Sequence, residues 1–390
     1  MPELDALSTM TEALIDLDAI AYNTALLANV CRDAQLMAVV KANGFGHGTL
    51  EVARTALANG ATWLGVTSQA EALALRRAGI DAPILMWLFG PNEDLSAAVR
   101  AGVDISVASV AHLDLVAEIA LRSSIRAGIH LKIDTGLSRN GALPADWSAL
   151  THAARLLERA GLVRVNGLWS HFANAEDPAD DYLHTQQSRF HDAIATAAAA
   201  GLSPKVCHLA NSAAMLLAPG THHDLTRAGL SLYGIEPVPS KTFGLRPAMT
   251  LRTQVIGIRR VSANTRVSYG SDYATARDTT LALVPLGFAD GAPRVASGQA
   301  QALVHGVRCR IAGRIAMDQF VLDVGDLPVT PGDVVTLFGD GADGAPTALD
   351  WAKWAQTNPH EILTGIGSRV PRRFLPLRDV RQRWPGRLSL

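Results

Sequence analysis

Ala38-Val39-Val40-Lys41-Ala42-Asn43-Gly44-Phe45-Gly46-His47-Gly48 reads as a buried strand that delivers a lysine at its carboxyl end into a glycine-rich turn. The glycines do not form a dinucleotide fingerprint, because Thr49 stands where a third glycine belongs. Lys41 precedes them, so the stretch is no Walker loop either.

Working outward, this strand is one of eight apolar runs, beginning at Leu36, Thr62, Pro83, Asp104, Ile129, Val165, Lys205 and Asp224. The runs are roughly 20 to 40 residues apart, with helical-period segments between them. Ser68-Gln69-Ala70-Glu71 is a capping box that opens one such helix, which stops at Gly79; another spans 146–160 and ends at Gly161. Strand–helix alternation repeated eight times predicts an α/β fold, an N-terminal (β/α)8 TIM barrel, with a doubly wound sheet as the competing architecture. In a barrel the carboxyl ends of the strands carry the active site, which places Lys41 at the mouth.

After about Lys241 the texture changes. The segments 250–258, 280–286, 302–311, 320–324 and 334–338 are strand-like and joined by Gly, Pro and Asp turns, with one short helical candidate at 349–356. The expected division is a barrel over 1–240 and a mostly β C-terminal domain over 241–390, with the first 10 to 18 residues packing against the latter.

Composition narrows the function. Lys plus Arg number 35 against 36 Asp plus Glu, and no basic block of five occurs, so nucleic-acid binding is not expected. The 3 cysteines, Cys31, Cys207 and Cys309, lack the paired spacing of a zinc site or redox dithiol, so no metal is expected. The first 31 residues carry acids but no Lys or Arg, the reverse of a secretory leader. The apolar stretches 83–89 and 281–288 are too short to span a bilayer. A cytoplasmic protein with no membrane segment is the expectation.

A lysine desolvated in a barrel mouth loses its proton readily and attacks carbonyl carbon, the property that pyridoxal phosphate (PLP) chemistry requires. The cofactor also needs a phosphate cradle. Asn211-Ser212 after the seventh run and Arg227-Ala228-Gly229-Leu230 after the eighth lie where barrels place phosphate. Read alone, Asn211 or Ser212 is equally a helix N-cap and Gly229 a turn glycine.

These pieces, in order, resemble the alanine racemase family: AVVKANGFGHG, LKIDTGLSRNG, SHFANAE, NSA, RAGLSLYG, VSYGSDY, LGFADG, GRIAMDQ and SRVPRR, covering nearly the whole chain. The resemblance implies PLP on Lys41, a homodimer with shared active sites, and racemisation of a small amino acid by two bases on opposite faces of Cα, Lys41 and Tyr269. It implies that His171 hydrogen-bonds both that tyrosine and Arg227, that Arg227 faces the pyridine nitrogen, and that Arg139 serves cofactor and substrate carboxylate. Asn211, Ser212, Gly229 and Leu230 become the phosphate cradle, Met317 and Asp318 the approach to the substrate carboxylate, Arg294 and Arg314 a cationic entry. Lys132 falls where some members carry a carbamylated lysine. D-Alanine for peptidoglycan is the implied product.

Three positions depart from the family pattern, since Phe45 and His360 stand where tyrosines touch the cofactor phosphate, and Phe288 where a tyrosine lies near the entrance. Phe45 cannot donate a hydrogen bond, whereas His360 can. Looser cofactor retention follows. Alanine remains the preferred substrate, with serine as the alternative. A non-catalytic PLP-binding barrel lacks the extra domain that carries Tyr269. A related PLP decarboxylase would carry a second-domain cysteine motif, which Cys309 does not supply.

Overall fold

The computed structural model describes residue 7 and residues 9–177, 179–238 and 240–375. After strand β1 (Thr11–Asp16), the chain forms eight parallel strands: β2 (Gln35–Val39), β3 (Trp63–Val66), β4 (Ile84–Met86), β5 (Asp104–Val107), β6 (Ala127–Lys132), β7 (Val163–Trp169), β8 (Val206–His208) and β9 (Leu225–Ala228). Their order is β8-β7-β6-β5-β4-β3-β2-β9, and every pair is parallel with helices on the crossovers. The amide of Asp224 donates to Cys207 O at 3.1 Å and that of Arg227 to Ala210 O at 3.0 Å, which brings β9 back against β8. This is the nearly closed (β/α)8 barrel, and the doubly wound alternative is set aside by that closure.

Local sequence explains the helices. Ser68 Oγ accepts from the Glu71 amide and Glu71 returns the bond to Ser68, completing the capping box of helix Gln69–Arg77. Helix Pro144–Arg159 starts two residues earlier than its periodicity suggested, because Pro144 occupies its first position, where a missing N–H costs nothing.

Inside the barrel, a dry layer of Met37, Trp63, Leu85, Val206 and Leu225 is packed by Trp87. Strand period places the next inward residues of β8 and β9, His208 and Arg227, one layer nearer the mouth. The layer on the mouth side of that apolar cluster is therefore polar.

The second compact unit comprises the described residues through Ile20, Phe45–Gly48 and the described residues from Arg246 on. Its nine-stranded sheet adds β10 (Met249–Gln254), β11 (Gly257–Val261), β14 (Thr279–Val284), β15 (Gln301–Val304), β16 (Val307–Ile311), β17 (Phe320–Gly325), β18 (Val334–Phe338) and β19 (Arg372–Leu375) to β1. A separate pair holds β12 (Arg266–Val267) and β13 (Tyr273–Ala274). β1 lies between β10 and β19, and Glu12 reaches Arg252 across that pairing at 2.6 Å, both side chains buried.

Two runs read as single strands are each two. The segment 250–258 breaks at Val255-Ile256, whose amides bond Asp333 O and Leu283 O instead of continuing one ladder. The segment 302–311 folds into a β15–β16 hairpin through His305 and Gly306, both at positive φ. Helix Pro359–Gly365 and strand β19 carry no strong pattern and are additions from the structure.

Candidate active site

Lys41 follows β2 directly, and the backbone after it turns left-handed: Ala42, Asn43, Gly44 and Phe45 all have φ between 52° and 59°. For residues with a Cβ this costs roughly 1–2 kcal/mol each, so the turn must be held by its surroundings. The Gly44 amide donates to Val40 O at 3.0 Å, and the Ala42 amide to Glu71 Oε1 at 2.8 Å. The Lys41 ammonium lies 5.9 Å from the Trp87 ring centre. Burial first, and then the nearby Arg139, push its pKa below the ordinary lysine value, with Glu71 opposing them.

Four other cations or imidazoles share this mouth. Lys132, at the end of β6, is 4.3 Å from the Trp169 ring and is pulled down to about 8 by burial, then by Arg227 and Arg139. Arg227 is buried at the end of β9 and burial lowers it to about 9, which leaves it protonated at neutral pH. Its Nη2 donates to His171 Nδ1 at 3.1 Å, Ser170 O at 2.9 Å and Leu209 O at 3.0 Å. His171 is held well below the usual histidine range by burial, then by Arg227, Arg139, Lys132 and Lys41. Arg139 sits exposed in the turn after β6, and Asp134 in that turn is committed to the Gly136 and Ser138 amides at 2.8 and 3.1 Å.

The loops after β8 and β9 meet. Asn211 is the N-cap of helix Ser212–Leu217, its Oδ1 accepting from the Ala214 amide at 3.0 Å. Ser212 Oγ accepts from the Gly229 amide at 2.9 Å and approaches that of Ser231 at 3.4 Å, while Leu230 opens the following 3-10 turn. With its lone pairs facing amides, the Ser212 hydroxyl retains one proton to donate to an anion. A mouth with this excess of cations and two lysines of lowered pKa, Lys41 and Lys132, fits an anionic aldehyde such as PLP.

In the second unit, Tyr269 opens the 3-10 turn Tyr269–Ser271 and is 68% exposed. The turn rests on Arg314, whose guanidinium packs where a side chain at Gly270 would stand and whose Nε pairs with Asp272 at 2.5 Å. Arg314, expected at the entry, braces the Tyr269 turn, and Arg294, expected there too, lies exposed at the start of turn Arg294–Ala296. The Phe288 and Ala289 amides donate to Ala316 O and Met317 O, each at 3.0 Å, which sets the exposed Phe288 and Met317 side by side. Asp318 pairs with Arg369 at 2.8 Å. The buried Phe45 and exposed His360 rings are 5.8 Å apart, centre to centre.

Sequence reasoning passed over His130, His208, Asp104 and Trp169 in the barrel, and saw in Glu71 only a helix cap. No local signal marks the first four, because each meets its partners only when separate strands close into one layer.

A family model described as the alanine racemase N-terminal domain matches residues 15–237, and one for the alanine racemase C-terminal domain matches 248–374. The chain belongs to the alanine racemase family. An alanine racemase from Thermobifida fusca is 51% identical over 367 residues, covering 94% of this chain and 98% of that one. The crystal structure of alanine racemase from D-cycloserine-producing Streptomyces lavendulae superposes with a TM-score of 0.93 at 45% identity, covering 97% of this chain and 100% of that one. The Streptomyces coelicolor alanine racemase gives 0.92 at 46%, over 94% and 98%. Family membership makes the chain an isomerase, and PLP is the cofactor that family membership implies.

Proposed function

We propose that this chain racemises alanine as a homodimer, with PLP on Lys41 and Tyr269 supplied by a second copy of the chain. The observation that carries the reading is Lys41, its pKa lowered, at a barrel mouth shared with Lys132, Arg139 and Arg227.

Bound PLP supplies an aldehyde for covalent attachment and an electron sink that acidifies the substrate Cα–H. The rest is work for side chains. Lys41 Nζ takes or returns the Cα proton on one face and the Tyr269 hydroxyl does so on the other, so a proton lost to one base and regained from the other inverts the centre. An unperturbed phenol is only about one part in a thousand ionised at pH 7, so Tyr269 needs a donor to stabilise its phenolate. His171 is suited to this, because its Nδ1 accepts from Arg227 and its proton therefore resides on Nε2.

Arg227 would be the residue facing the ring nitrogen of the bound cofactor, and because a guanidinium keeps its proton it would donate there without protonating the ring, which would limit charge delocalisation and favour reprotonation over transamination. Arg139 and the backbone at Met317 and Asp318 bind the substrate carboxylate. Asn211, Ser212, Gly229 and Leu230 would hold the cofactor phosphate, and Phe45 and His360 stand at the positions where the family pattern has tyrosines for that phosphate. The three unpaired thiols suit a cytoplasmic enzyme supplying D-alanine for peptidoglycan. Among the described residues, no helix is long and apolar enough to cross a membrane.

The test combines the visible spectrum of the purified protein, borohydride fixation followed by peptide mass spectrometry, and chiral analysis of L-alanine incubated with it. A label on Lys41 with D-alanine formation is expected. Carbon dioxide release from a basic amino acid would make it a decarboxylase, and label without turnover a binding protein.

A further inference from the structure

Arg227 is buried and charged, yet every group in hydrogen-bond contact with it is neutral: Ser170 O, Leu209 O, His171 Nδ1, and His208 Nδ1 at 3.0 Å from Nη1. Burying an unpaired guanidinium is costly, so a compensating charge must lie further off. His208 Nε2 is 2.9 Å from His130 Nδ1, and His130 Nε2 is 3.2 Å from Asp104 Oδ2. The line runs from β9 through β8 and β6 to β5.

Its direction is fixed. Arginine only donates, so His208 Nδ1 accepts and Nε2 carries the proton; His130 Nδ1 then accepts and its Nε2 proton goes to Asp104. The far end has the same polarity. Arg164 Nε donates to Asn166 Oδ1 at 2.7 Å, which turns Asn166 Nδ2 to Asp104 Oδ1 and Oδ2, both at 2.9 Å. Asp104 therefore receives protons from both sides, a role suited to a carboxylate and not to an amide.

The barrel is shaped around this line. Gly128 and Gly167 have no positive φ, so neither is required by the backbone. A methyl group at Gly128 would overlap the Asp104 carboxylate and Asn166, and one at Gly167 the His130 ring. Trp169 stacks on His208 at 5.5 Å and 5°, and Trp63 meets His130 edge-on at 5.4 Å, which closes the line off from solvent. Burial, then Arg227, keeps His208 well below the normal histidine pKa, in keeping with a neutral ring.

We propose that Asp104, acting through His130 and His208, is a positioning residue that holds Arg227 in place and keeps His171 Nδ1 an acceptor, with its proton on Nε2. Its consequence for turnover rests on the racemase reading above; the hydrogen-bond order itself does not.

The test uses the holoenzyme with 15N-labelled histidine and reads two things. Downfield proton spectra of the wild type should show slowly exchanging Nε2–H signals from His130 and His208, and Asp104→Asn should shift or remove both. In turnover, Asp104→Asn should lower kcat on the order of ten- to hundred-fold with little change in KM, the loss expected of a misplaced active-site group. His130→Gln keeps an acceptor and a donor in the same order, whereas His130→Phe keeps only the volume. The glutamine variant should therefore retain most of kcat and the phenylalanine variant should lose it, a comparison that stands even if Asp104→Asn fails to fold. Unchanged imidazole signals in Asp104→Asn, or equal kcat in the two His130 variants, would overturn the proposal. If the wild type does not racemise alanine, the racemase reading fails while the spectra still decide the hydrogen-bond order.

Discussion

Glu71 Oε1 accepts from the Ala42 amide at 2.8 Å while Oε2 accepts from Thr67 at 2.7 Å and Ser68 at 3.3 Å. One carboxylate therefore caps the helix Gln69–Arg77 and secures the left-handed turn that follows Lys41. The strain of that turn is borne by contacts which arrive from a different strand–helix unit.

Replacing Glu71 with Ala removes both functions. A loss of about 1–2 kcal/mol in unfolding free energy is expected from the cap and the freed Ala42 amide, as measured by denaturant titration. Glu71→Gln, which can still accept from Ala42, should lose less. Equal stability of wild type and Glu71→Ala would show that the turn holds itself.

Tyr269→Phe should keep the PLP absorbance and its attachment to Lys41 yet lose racemisation by two or more powers of ten, since a phenyl ring cannot accept the Cα proton. Chiral chromatography of alanine after incubation measures this. Racemisation at the wild-type rate would remove Tyr269 from the reaction.

Phe45 is buried against His360 and offers no hydroxyl. One missing hydrogen bond to a charged phosphate is worth roughly 1.5–3 kcal/mol. Phe45→Tyr should therefore slow cofactor loss during dialysis, read as the activity that survives before PLP is added back. A wild type that retains its cofactor in full for days would mean that another donor compensates.

Stability should fall on acidification. His171 and His208 both have folded pKa values pressed well below 6.5, by burial first and then by Arg227. Between the folded and unfolded values each binds fewer protons folded than unfolded, so its stabilisation is complete above about pH 6.5 and is lost as pH falls towards the folded value. For the fully buried His208 the slope reaches up to about 1.4 kcal/mol per pH unit. Denaturant midpoints measured from about pH 7.5 down to about pH 5.5 should decline, and a rise would contradict the neutral assignment.

The sequence alone determined what depends on neighbours along the chain. The eight strand runs, the Ser68–Glu71 capping box and the placement of Lys41 at a strand end followed from apolar period and cap chemistry, both local. The ordered motifs carried the family. Breaks at Val255-Ile256 and His305-Gly306 were hidden because continuous apolar character masks a change of pairing partner.

Only the tertiary structure decided that Arg314 braces the Tyr269 turn, that Glu71 reaches Ala42, and that Asp104, His130, His208 and Arg227 form one line. These residues are far apart in sequence. Their hydrogen bonds exist because barrel closure brings inward-facing positions of different strands into one layer, and no periodicity within a single strand records which strand will lie opposite.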